Sequence, residues 1–140
     1  MFKNARQFGM NMRQKLGVNA RKNVKDALEK SVNEVRNVAV ESIVRNPRRG
    51  PEVRRRGQTF NISRAGDPPA QDQGFLSSQI SVEVKMSSTG GIGKVISAAP
   101  YSAALEFGTV NMGARPFMQP ALKKSQKKIL QIFKREGIVK

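Results

Sequence analysis

The sequence predicts an α+β domain: a long N-terminal helix and a C-terminal helix packed on a small antiparallel sheet, with a long basic loop. Three observations carry this. Apolar residues recur at three- and four-residue steps over residues 20–44. Strict alternation runs through Ile80, Val82, Val84 and Met86 and is followed by a Gly-rich turn. Helical spacing then returns from residue 117. With 140 residues, 38% of them hydrophobic, the chain is expected to form a single domain with a modest core.

Residues 1–18 hold Lys3, Arg6, Arg13 and Lys15 among Phe2, Phe8, Met10, Met12 and Leu16. Gly9 and Gly17 interrupt them, so a loosely helical basic arm is expected there, preceding a domain over 19–140. No continuous apolar block in the arm suits a secretory signal, and no run in the chain is long enough to span a bilayer. In the first long helix Val24, Leu28, Val32, Val35, Ala39 and Ile43 share one face, while Glu29, Arg36 and Glu41 project elsewhere. Asn46-Pro47 should end it, because proline disfavours helical geometry in the residue before it. The stretch that follows, to about residue 70, is dense in arginine, proline and glycine and reads as an extended mobile loop, with a short strand over Thr59–Ile62.

Alternation over residues 80–86, the turn Ser-Thr-Gly-Gly and a second run, IGKVISAA, together predict an antiparallel hairpin. Pro100 suits the first position of a short helix ending at Phe107, and Gly108 suits a left-handed residue terminating it. The last helix should run from about Phe117 to Glu136. Leu122, Ile129, Ile132 and Phe133 lie on one side of it, with Lys123, Lys124, Lys127, Lys128, Lys134 and Arg135 on the other.

Composition narrows the chemistry. The chain carries 26 Lys and Arg against 10 Asp and Glu, a formal charge of +16, which favours a polyanionic or acidic partner. It has no histidine and no cysteine, removing the commonest general base, the thiol nucleophile and most transition-metal ligands. The glycines of STGGIGKV do not make a phosphate-binding loop: Ser88 stands where the first glycine is required, and Val95 follows Lys94 in place of Ser or Thr. Glu106, a lone carboxylate between Leu105 and Phe107, has no nearby catalytic partner. It is expected to accept hydrogen bonds from backbone N–H groups of the following loop, or to pair with Arg115. Neither catalytic residues nor a cofactor or metal are expected. A single Tyr, no Trp and no aromatic residues interleaved with the arginines leave little for base stacking.

Three segments, in order, resemble the tail-completion or neck proteins of long-tailed double-stranded DNA bacteriophages. GDPPAQDQGFLSSQI (66–80) is similar to the family's proline-rich segment and the Gly-x-Leu run after it. APYSAALEFGT (99–109) is similar to its Tyr-Ala…Glu-Phe-Gly-Thr signature, and ARPFMQPAL (114–122) to its closing Pro-Phe-x-x-Pro-Ala-Leu. Gln73 stands where the family usually has Thr, and the Arg-rich stretch is longer than the common connection. The resemblance implies a non-enzymatic virion protein that forms a homo-oligomeric ring, hexameric rather than dodecameric, at the head–tail junction. Its neighbours there would be head-connector and tail-terminator or tail-tube proteins, with non-specific contact to packaged DNA and none to membrane; assembly would take place in the host cytoplasm. Tyr101, Leu105 and Phe107 would seat the short helix on the sheet. Tyr101, Glu106, Phe107, Gly108, Arg115 and Phe117 would form the subunit or neighbour contact. Arg48, Arg49, Arg54, Arg55 and Arg56 would face DNA or an acidic partner. The competing reading is a stand-alone basic nucleic-acid-binding protein without sequence specificity.

Overall fold

A computed structural model of the chain describes residues 5–140, with side chains of the first helix from residue 17 onward. The start of the expected arm, residues 1–4, lies outside the described residues, as do the side chains of residues 5–16. From Ala5 the backbone belongs to one continuous helix, α1 (Ala5–Val44), which passes through Gly17 without a break. Helix α1 ends as expected just before Asn46-Pro47.

The elements after α1 are β1 (Glu52–Arg55), β2 (Gln58–Asn61), α2 (Phe75–Ser78), β3 (Ile80–Met86), β4 (Gly91–Ser97), α3 (Ser102–Phe107) and α4 (Met118–Arg135). The architecture is α+β, built on two separate two-stranded antiparallel hairpins. The core lies where α1 crosses the β3–β4 hairpin and meets α4. Val35, Ala39 and Ile43 of α1 pack there with Leu76, Ile80, Ala99, Phe117 and Ala121. Of the apolar face expected on α1, Val32, Val35, Ala39 and Ile43 are buried, and Val24 and Leu28 are half-buried. Arg36 is not a free surface residue, for its Nε donates to the Ile80 carbonyl at 2.9 Å.

In the β3–β4 hairpin Val82 pairs with Val95 and Val84 with Gly93. The alternation of β3 and β4 gives α1 one face, carrying Ile80, Val82, Val84 and Met86 opposite Ser97, Val95, Gly93 and Gly91. The two glycines are needed because the helix comes close. A Cβ at Gly93 would lie 2.5 Å from Cγ1 of Val32, and one at Gly91 would lie 2.7 Å from Cδ1 of Leu28.

Helix α4 runs antiparallel to α1. Lys128 pairs with Glu34 at 2.9 Å, and further along α4 Glu136 pairs with Lys30 and accepts a hydrogen bond from Asn23. The buried positions of α4 are Ala121 and Ser125, small residues that let the two helices approach. Of the apolar side expected on α4, Leu122 is 49% exposed, while Ile129, Ile132 and Phe133 are half-buried.

The stretch read as an extended loop is instead largely built. Glu52 to Asn61 form the β1–β2 hairpin, with Arg55 opposite Gln58 and the two-residue turn Arg56-Gly57. Both turn residues have positive φ (51° and 78°), the geometry that matches the twist of flanking strands. The short strand expected over 59–62 is β2, one residue earlier. The base of the hairpin is closed by Gly50 N–H donating to Ile62 O (2.8 Å) and Ile62 N–H to Pro51 O (3.0 Å).

Candidate functional site

Glu106 sits in α3 with its carboxylate against the start of α4. Oε2 accepts from the N–H groups of Phe117 (2.9 Å) and Met118 (3.0 Å), and Oε1 accepts from Gln119 (2.9 Å). These are the N-cap and first two residues of α4, whose N–H groups have no partner inside the helix. The next residue, Pro120, has no N–H to satisfy. One side chain from eleven residues upstream of Phe117 therefore accounts for every orphan donor at this end, and its negative charge faces the positive end of the helix dipole. Of the two roles expected for Glu106, backbone capture is the one found. Arg115 turns away and donates from Nε to Ser63 O (3.2 Å) and from Nη1 to Gly113 O (3.4 Å).

The segment between α3 and α4 is held along its length. Arg115 N–H donates to Leu105 O (2.6 Å), and Gly66 N–H donates to Ala114 O (2.8 Å). Thr109 and Met112 bridge across a tight turn with Val110 and Asn111 at its tip. Gly108 has φ 77° and ψ 174°, so it is not the left-handed helical residue expected but lies in a region open essentially to glycine alone. A side chain there would also press within 2.9 Å of the Ala114 nitrogen.

The remaining candidates divide. Phe117 is 1% exposed and belongs to the core, so it is not available as a contact in the folded chain. Phe107 is 80% exposed, and Val110 is wholly so. Phe107 therefore does not seat α3 on the sheet. Leu105 packs against the core, and Tyr101, 44% exposed, lies against Phe75 with ring centroids 6.1 Å apart.

Arg48, Arg55, Tyr101 and Arg115, from the two sequence regions singled out separately, line one cleft of about 680 Å3 between the β1–β2 hairpin and α3. Phe60 and Phe75, which the sequence did not single out, line it too. Arg48 is anchored by donating to Gln71 O and by lying over the Phe60 ring, 5.7 Å from its centroid. Arg54 and Arg56 are exposed and do not line this cleft; Arg49, also exposed, lies on a different surface near Lys124. Among the described residues no cluster of acidic side chains could hold a metal ion, and no helix is long and apolar enough to cross a membrane. Comparison with protein-family models, curated proteins and solved structures returns no match.

Proposed function

We propose that this chain is a structural subunit of the neck of a long-tailed DNA bacteriophage. In this reading, copies form a ring at the head–tail junction that completes the tail or joins it to the capsid connector. The observation that carries it is the Glu106 clamp. By fixing the end of α3 to the start of α4, Glu106 turns the segment from Glu106 to Met112 into a rigid projection whose apolar residues Phe107 and Val110 face solvent. Exposed apolar side chains on a pre-ordered turn suit a subunit contact, since little conformational entropy remains to be lost on association. The order of the three motifs in the sequence supports the same reading. Glu106 has no role as an acid or base in it, because its oxygens are committed to backbone N–H groups.

The test is assembly of Phe107→Asp, a change at an exposed position that leaves the Glu106 contacts in place. Light scattering should show wild type as a defined multimer, alone or with its neighbours, and the variant as a monomer. Particles made without the protein should appear as full heads beside unjoined tails. A wild type that stays monomeric with every neck neighbour present, or a variant that joins heads to tails normally, overturns the reading. The competing reading, a non-specific nucleic-acid-binding protein, draws on exposed Arg49, Arg54 and Arg56 and on the +16 charge. It requires a small species that shifts DNA with a steep salt dependence.

A further inference from the structure

We infer that the cleft between the β1–β2 hairpin and α3 is a docking groove for an acidic peptide segment with an apolar anchor, contributed by a neighbouring protein. That the neighbour belongs to a phage neck rests on the reading above; the groove itself does not.

The walls are apolar: Phe60 from β2, Phe75 from α2, and Tyr101 and Leu105 at α3. The volume, about 680 Å3, is ample for one or two bulky side chains. Around these walls stand three guanidinium groups, Arg48, Arg55 and Arg115, and a single carboxylate, Asp72. Asp72 is 3.9 Å from Arg55 with both side chains more than half exposed, a weak contact that an incoming carboxylate can replace. Arg48 and Arg115 are pre-oriented through backbone carbonyls, which leaves further N–H donors of each planar fork for a ligand. The groove thus has an apolar floor, a net positive rim and side chains already ordered before binding.

Two other occupants fit less well. A second copy of this chain would bring a surface of the same sign, and its projecting turn, Thr109 to Met112, has no acidic residue to meet the arginines. Single-stranded nucleic acid needs open ring faces on which bases stack. Here Phe75 and Tyr101 lean on each other at an interplanar angle of 39° and Arg48 lies over Phe60, so each of these rings already has a neighbour on one side.

The experiment is selection from a random-peptide library on the immobilised full chain, followed by fluorescence anisotropy with the enriched peptides. The expected peptides carry Asp or Glu flanking an aromatic or aliphatic residue. Tyr101→Ala should weaken their binding about tenfold, and Arg55→Gln about fivefold. Arg54→Gln, which removes the same charge from a residue outside the cleft, should cost less than about twofold. Circular dichroism checks that each variant is folded, and exposed Arg55 keeps the test informative if Tyr101→Ala is not. Failure to enrich acidic peptides, equal losses for Arg54→Gln and Arg55→Gln, or displacement of the peptide by oligo(dT) would each overturn the inference. Ring assembly by light scattering is read separately, so a chain that binds the peptides yet stays monomeric with every neck neighbour present sinks the neck reading and leaves the groove standing.

Discussion

The two hairpins of this chain share a topology and differ in what holds them. The β3–β4 hairpin lies under α1, which packs on one of its faces, and Ile80 is buried in the common core. Among the described residues, no helix packs extensively against the β1–β2 hairpin. Its strands expose every residue except Val53 and Phe60, which are half-buried and pair across it. A two-stranded hairpin is marginal in water by itself, so the second one depends on its base. There Gly50 N–H donates to Ile62 O and Ile62 N–H to Pro51 O, the Asn61 side chain donates to Gly50 O, and Arg48 covers Phe60. The Gly50 backbone passes so close that a Cβ would lie 2.4 Å from Ser63 O. A sheet can thus be secured by covering its face or by closing its neck, and the two devices should fail differently.

The largest effect is expected at the covered hairpin. Ile80→Ala leaves a cavity between α1, α4 and the sheet, and should cost about 3 kcal/mol. It should be read as a drop in the global melting temperature of about 3 °C per kcal/mol. If the midpoint did not move, the core would not run through β3. At the neck-closed hairpin, Gly57→Val forces a β-branched residue into positive φ and should cost about 1 kcal/mol. That loss should be local, accelerating amide hydrogen exchange in residues 52–61 while the global midpoint stays nearly fixed. A matching fall in global stability would mean that the hairpin is part of the core after all. The smallest effect is expected for Arg54→Gln, within about 0.5 kcal/mol, since its side chain is exposed. A larger loss would point to a structural role for this arginine.

The same contrast explains what the sequence made legible. Alternation of Ile80, Val82, Val84 and Met86 announces a half-buried strand because a helix buries one side of it. In β1–β2 only Val53 and Phe60 mark a face, arginines dilute the pattern, and the turn is Arg-Gly rather than the stronger Asn-Gly signal. Gly57 was the available cue. The capture of backbone N–H groups by Glu106 could be anticipated from its isolation among apolar neighbours, but not that the acceptor would serve the first turn of α4. Phe107 and Phe117 look equivalent as residues, yet α3 packs inward through Leu105, and it is Phe117 that fills the core. In α4 the hydrophobic pattern favoured Leu122, whereas close approach to α1 selects its smaller neighbours Ala121 and Ser125. Arg48, Arg55, Tyr101 and Arg115 are far apart in sequence, and only the fold brings them to one cleft.

The notches at Gly91 and Gly93 have a mechanical consequence. Leu28 and Val32 of the long helix sit where those two side chains are missing, so the rod is indexed against the sheet like a pin in a detent. Sliding toward Ser97 by two strand residues, the next position on the same face, would drive Val32 into the Val95 side chain. A pull along the helix axis is therefore carried by the sheet as a stiff load and does not dissipate as slippage.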